Sequence, residues 1–308
     1  MRTAVVDIGT NSTRLLVADV EDGRIAAELE RRSTVTRLGQ GVDAGGRLQE
    51  EAIGRTFDTL AEYRRLIDRH HPDTALAVLT SAVRDADNGP RFARAVQERF
   101  GLAPHILSGA QEARLTFAGA TSERDPADLT PTAVIDVGGG STEIVIGAGH
   151  RARFHASTQA GVVRQTERHI RSDPPAPDEL RELRADVARI LAAAVPREER
   201  RGVSRGIGVA GTATSLGAIS QRLEPYDPSR VHGYRVSRGE CERILERLAA
   251  LPLKERRRTP GLHPDRAPTI VAGVIILLEA LALFDLRKLE VSEHDILRGA
   301  ALELGAAT

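Results

Sequence analysis

The chain has 308 residues, with 43 basic and 43 acidic side chains and a formal net charge of zero. A molecule without net charge has no global field to gather nucleic acid, so any anion site must be local. An apolar content of 41% with 28% charged residues is that of a soluble globular protein long enough for two domains, and the lone Cys241 excludes an internal disulfide and a cysteine-built metal cage.

The first elements read as a β-meander. Strands are expected at Thr3–Ile8, Arg14–Val20 and Arg24–Leu38, with Asp22-Gly23 as the hairpin turn between the second and third. A strand that begins at Thr3 leaves no room for a signal peptide. A helix is expected from Gln49 to Arg69, with Ile53, Leu60 and Ile67 on its apolar face. The chain then alternates: strand Ala75–Thr80, helix Gly89–Arg99, strand His105–Ser108, helix Gln111–Ala120. A meander followed by β-α-β-α implies a mixed sheet covered by helices. The polar stretch Glu123–Pro131 marks the expected boundary, giving domains 1–125 and 126–308, with packing of the last helix back on the first domain left open.

The second half repeats this order. Strands are expected at Ala133–Asp136, Thr142–Gly147 and Ala152–Thr158, then a helix at Val163–Ile170 and a proline-rich break at Ser172–Pro177. A long helix Asp178–Val195 precedes a strand at Gly206–Ala210. Helices follow near Thr212–Ile219, Ser237–Ala249, Asp265–Phe284 and His294–Leu304, with a short strand Leu289–Ser292 between the last two. The most apolar run, Ile270–Phe284, contains Glu279 and is too short to span a bilayer. It reads as a core helix, and the protein as cytoplasmic, with no membrane partner.

The most informative feature is a repeat. Val5-Val6-Asp7-Ile8-Gly9-Thr10-Asn11-Ser12-Thr13-Arg14 aligns without a gap with Val134-Ile135-Asp136-Val137-Gly138-Gly139-Gly140-Ser141-Thr142-Glu143, at an offset of 136 − 7 = 129 residues. Each is a strand, an Asp, a small-residue turn and a second strand. Such a duplication implies two similar α/β domains facing across a cleft, each offering a turn that grips phosphate. In the second turn, Gly138, Gly139 and Gly140 let backbone N–H groups converge on an anion, and Ser141 adds a hydroxyl. Asp136 and Glu143 are the oxygen ligands a hard divalent cation needs. In the first turn, Asn11, Ser12 and Thr13 can donate to phosphate oxygens. Gly211-Thr212 opens a helix after a strand, where free N–H groups and the helix dipole favour anions.

Two further residues stand at strand ends. Arg84 can clamp phosphate with its planar fork or pair with Asp85 or Asp87. Glu112 opens a helix; it is a candidate general base, or an acid favoured there by the helix dipole. Nearly all positive charge is on arginine, the only lysines being Lys254 and Lys288. That suits phosphate recognition and also follows from a GC-rich genome. A Walker loop, an H-E-x-x-H pair and a G-x-S-x-G elbow are all absent from the sequence.

These stretches together resemble the exopolyphosphatase and guanosine pentaphosphate phosphohydrolase (Ppx/GppA) family. The matches are Asp7–Leu16, Thr80–Asn88, Leu107–Leu115, Asp136–Glu143, Gly161–Arg164, Gly211–Gly217, Arg230–Tyr234, Pro260–Arg266 and Val291–Glu293, in family order through nearly the whole chain. The resemblance implies the actin-like superfold of the ribonuclease H, sugar kinase and heat-shock ATPase type. It implies hydrolysis of a terminal phosphoanhydride of inorganic polyphosphate. Glu112 would be the catalytic base, Glu143 would serve the metal or water site, and Asp136 and Glu143 would hold Mg2+ (or Mn2+). Asn11–Thr13, Arg84, Gly138–Ser141, Gly211, Thr212 and Arg266 would hold phosphates. Relatives form a homodimer, so a dimer is expected. Larger members carry an extra C-terminal helical domain; this chain ends at Thr308, which puts processive handling of long polyphosphate in question. Three other readings stay open: a guanosine pentaphosphate phosphohydrolase, a non-catalytic regulator that binds guanosine tetra- or pentaphosphate, and a kinase of the same superfold. With aromatics at 3% and no tryptophan, few side chains are available to stack on a base.

Overall fold

The computed structural model describes residues 1–306. By its contacts the chain forms two compact units: Met1–Ser122 joined by the chain from His294 onward, and Glu123–Glu293.

The first unit is built on a five-stranded sheet. Strands β1 (Arg2–Ile8), β2 (Ser12–Glu21), β3 (Arg24–Val35), β4 (Thr74–Leu79) and β5 (Ala103–Ile106) lie in the order β3-β2-β1-β4-β5. The β1–β2–β3 meander is antiparallel, and β4 and β5 run parallel to β1. Side chains alternate across the sheet. Ala4, Val6, Ile8, Leu15 and Val17 face a core that takes in Leu60, Tyr63 and Ile67 of helix Glu50–His70 and Phe92 and Val96 of helix Gly89–Phe100. Val5, Leu16, Ala18 and Val78 face the other way, onto Leu115 of helix Gly109–Thr121 and Ile296, Leu297 and Ala301 of helix Ile296–Ala306. Those last two helices cross so closely that a Cβ on Gly119 or Gly299 would stand 1.9 Å from a carbonyl of the other segment.

The second unit repeats the arrangement. Strands β6 (Thr132–Val137), β7 (Thr142–Ala148), β8 (Arg151–Thr158), β9 (Arg205–Val209), β10 (Arg235–Ser237) and β11 (Lys288–Val291) are ordered β10-β11-β9-β6-β7-β8. The meander β6–β7–β8 is again antiparallel, and β9 and β11 run parallel to β6 and β9 respectively. β10 adds one antiparallel edge strand. Two units with this strand order are the mixed α/β, actin-like architecture expected from the sequence. The apolar helix Ile270–Leu283 lies in the core of the second unit, as expected, against helix Pro177–Ala194.

That helix begins at Ile270 rather than Asp265. Pro268 has no N–H to give to a carbonyl one turn back, so the α-helical ladder cannot run unbroken from Asp265. Pro264–Arg266 forms a 3₁₀ turn instead, with His263 Nδ1 accepting from the Asp265 amide. Burial pushes the thiol of Cys241 up to about 12, so it packs as a small apolar side chain.

Candidate active site

The two repeated hairpins have the same register. Asp7 pairs with Arg14 and Asp136 with Glu143 across their strands; Asp7 also lies beside Val78, and Asp136 beside Val209. Each turn is closed by one bond of equal length, Gly9 N–H to Ser12 O and Gly138 N–H to Ser141 O, both 3.0 Å. Among the described residues, the amides of Thr10 and Asn11 in the first turn meet no protein acceptor, nor do those of Gly139, Gly140 and Ser141 in the second. Consecutive N–H groups of this kind form a concavity suited to an anion.

The first turn is held from behind. The carbonyl of Asn11 accepts from the amides of Thr36 (3.1 Å) and Arg37 (2.9 Å), and Thr10 Oγ1 meets Ser81 Oγ at 2.9 Å. Asn11 and Ser12 are half-buried. Thr13 differs from the expectation. Its side chain is fully buried, with its hydroxyl on Thr36 Oγ1 at 3.0 Å and its carbonyl taken by Tyr63 O–H at 3.0 Å. It shares the core-facing side of β2 with Leu15 and Val17, so it fixes the hairpin rather than offering a hydroxyl to phosphate.

At the position where the first hairpin has Arg14, the second has Glu143. Arg14 donates to Asp7 Oδ2 from Nε (2.9 Å) and from Nη2 (2.5 Å), and through Nη1 to Asp295. Asp7 Oδ1 is buried with no hydrogen-bond partner, and burial raises the Asp7 pKa above the usual carboxylate range despite the adjacent guanidinium. In the second hairpin two carboxylates stand opposite one another, Asp136 at 7% and Glu143 at 1% exposure. Glu143 Oε1 accepts from Ser157 Oγ at 2.9 Å.

The glycine turn is anchored by the element behind it. Val162 N–H donates to Gly138 O (2.9 Å), Val163 N–H to Gly139 O (2.8 Å), and Arg164 Nε to Gly140 O (2.9 Å). The first two are orphan backbone donors of the first turn of helix Val162–His169, and the third is a side-chain donor from the same turn. With its carbonyls so engaged, the turn keeps three amides that meet no protein acceptor among the described residues. Arg164 was not a site candidate by sequence; only its place in the matching Gly161–Arg164 segment pointed to it.

Glu112 lies in the first turn of helix Gly109–Thr121, which Ser108 and Gln111 close with a capping box. It is 7% exposed. Arg84, from the short helix Ser81–Asp85 after β4, donates through Nη1 to Glu112 Oε2 at 3.0 Å and to Leu107 O at 2.8 Å. The structure therefore joins two sequence candidates in one ion pair. Asp85 lies 3.7 Å from Arg84 Nε, while Arg84 Nη2 has no acceptor among the described residues.

A third pair comes together in the second unit. Gly211 and Thr212 open helix Ala210–Gln221, whose first residue, Ala210, has φ +59°. The Arg266 guanidinium rests on Gly211: a Cβ there would fall 1.1 Å from Arg266 Nη1. Two segments far apart in sequence thus bring helix-terminal amides and a cation to one spot.

Two units of one actin-like topology, each carrying an Asp-turn hairpin with amides that meet no protein acceptor among the described residues, define the class of fold. A model of the Ppx/GppA phosphatase family matches residues 16–303, and the chain belongs to that family. It is 40% identical over 318 residues to "Exopolyphosphatase 2" of Mycobacterium tuberculosis, with 98% of each chain covered. It is similar to the solved structure of an exopolyphosphatase-like protein, at 32% identity and TM-score 0.94 over 99% of this chain and 98% of that one. It is also similar to that of the Aquifex aeolicus Ppx/GppA family member, at 32% identity and TM-score 0.83, with 100% and 98% covered.

Proposed function

We propose that the chain is an exopolyphosphatase that removes the terminal phosphoryl group of linear inorganic polyphosphate as orthophosphate. The observation that carries this reading is the Glu112–Arg84 pair. A base that works on water must be held in one rotamer within a largely desolvated setting, and Arg84 holds Glu112 so at 3.0 Å. Nη2 of the same guanidinium is left for a phosphoryl oxygen. One residue would thus align the base and the group under attack.

In this mechanism Glu112 takes a proton from water as the water oxygen bonds to the terminal phosphorus. The bond from that phosphorus to the bridging oxygen breaks, and its electron pair leaves with the shortened chain. Orthophosphate is the other product. The amides of Thr10 and Asn11, with the side chains of Asn11 and Ser12, are donors for phosphoryl oxygens in the unit that carries Glu112 and would supply electrostatic stabilisation as charge spreads over them. In the second unit, Arg266 and the amides of Gly211 and Thr212 are suited to hold a phosphate.

Asp136 and Glu143 fit a hard divalent cation, magnesium or manganese. Two carboxylates directly opposite on neighbouring strands repel each other, and a cation relieves that cost while using the oxygen ligands it prefers. When bound, it offsets negative charge on the phosphate oxygens. In the first hairpin Arg14 already occupies the equivalent place, which directs the cation to the second.

Glu112→Gln keeps the shape of the side chain and removes the base. It is expected to lower the rate of phosphate release about 10²–10⁴-fold while tripolyphosphate still binds, as measured by calorimetry. A variant that turns over at near wild-type rate removes Glu112 from this role.

A further inference from the structure

The second unit contains a cavity of about 740 Å³ that none of the candidate site residues lines. That volume is in the range of small-molecule sites, roughly 300–1,000 Å³. Its cations are Arg205 at the start of β9, Arg235 of β10, and Arg287 and Lys288 at the entry to β11; its acids are Asp285 and Glu290. Buried Val203 and Leu286 give it an apolar floor.

Its position separates it from the glycine turns. β9 and β11 are parallel, and both enter at this cavity. Helix Ala210–Gln221, with Gly211 and Thr212, follows the opposite end of β9. At about 3.3 Å per residue, the length of β9 alone sets the two places roughly 15 Å apart.

The four cations are not equally committed. Arg205 Nη1 donates to Asp128 Oδ2 at 2.6 Å. Arg235 reaches Glu290 at 3.4 Å, and Arg124 also binds that carboxylate. The side chains of Arg287 and Lys288 are exposed and meet no acid or other acceptor among the described residues. Asp285 beside them forms no ion pair with either. The lining thus carries more positive than negative charge, with its two available cations on consecutive residues.

We propose that this cavity binds a small anion with adjacent phosphate groups, at a site separate from the hydrolytic residues. Arg287 supplies a planar fork for one phosphate and Lys288 a point charge for the next. Arg205, held by Asp128, and Arg235, beside Glu290, complete the cationic lining.

The sequence provides a direct probe, because Lys254 and Lys288 are the only lysines. The intact chain is acylated with an amine-reactive reagent, and the rate at each lysine is read by mass spectrometry. Imidotriphosphate, whose P–N–P links resist hydrolysis, is the ligand used, with orthophosphate and sodium chloride as controls at matched ionic strength. Imidotriphosphate is expected to slow acylation of Lys288 at least fivefold and leave Lys254 unchanged; Arg287→Ala should abolish most of that protection. Equal slowing at both lysines, no protection, or equal protection by orthophosphate would overturn the proposal. Because the ligand is not consumed, none of these outcomes depends on whether the chain hydrolyses polyphosphate.

Discussion

Asp7 and Asp136 hold the same place in a duplicated hairpin and face opposite chemistry: an arginine across the strand in one case, a glutamate in the other. Burial raises the pKa of Asp7. An aspartate whose folded pKa is raised contributes stability that is fully present below its unfolded pKa, about 3.9, and is lost as pH rises through the folded value. Asp7→Asn carries no such loss, and Arg14 keeps Asp295 as a partner. Denaturant unfolding should therefore show Asp7→Asn gaining stability relative to wild type as pH rises from about 4 to about 7. A stability difference that is flat, or runs the other way, contradicts the burial argument. The same pair shows what a sequence offers at this scale. The repeat located both hairpins, but Asp295, the second partner of Arg14, lies 281 residues away and no spacing rule reaches it. Thr13 was legible in principle, since strand alternation puts it on the side of Leu15 and Val17.

At the scale of elements, two glycines separate steric from electrostatic roles. A Cβ on Gly161 would stand 2.2 Å from Gly140 C and 2.3 Å from Gly139 O. These are backbone atoms and cannot swing aside, so Gly161→Ala must shift the glycine turn or the helix that anchors it. The expected result is a fall in melting temperature, with a loss of about 1–3 kcal/mol as for other overpacking changes, together with weaker substrate binding. The nearest atoms that the Cβ of Gly211→Ala would meet are those of the Arg266 guanidinium. A flexible guanidinium can move away, so this variant should keep a near wild-type melting temperature and raise KM for polyphosphate. A large loss of stability in Gly211→Ala, or none in Gly161→Ala, contradicts these assignments. The strand–turn–strand and β-α-β patterns were readable because apolar periodicity and Gly or Pro punctuation are local. The three-residue edge strand Arg235–Ser237 was not, because pairing with β11 rather than its own composition creates it. The helix start at Ile270 was readable from Pro268, but the apolar run that follows outweighed it in a periodicity reading.

At the scale of the molecule, the chain leaves its first unit at Ser122 and returns to it at His294. The returning helix Ile296–Ala306 packs on helix Gly109–Thr121, the element that carries Glu112. The loop before it supplies Asp295 to Arg14. The end of the sequence therefore braces the first unit at the elements proposed to do the chemistry. The 129-residue repeat made the two-unit architecture visible from sequence, since it preserves strand register as well as residue type. It does not disclose which phosphoanhydride is cleaved, because backbone N–H groups of the kind both turns offer are suited to a phosphate and not to the group that carries it. The most direct measurement is orthophosphate release by the purified chain from short polyphosphate, long polyphosphate and guanosine pentaphosphate, each with and without magnesium. Metal-dependent release of single orthophosphates from polyphosphate, faster than from guanosine pentaphosphate, is the predicted result. Release from guanosine pentaphosphate alone, or from none of the three, would contradict it.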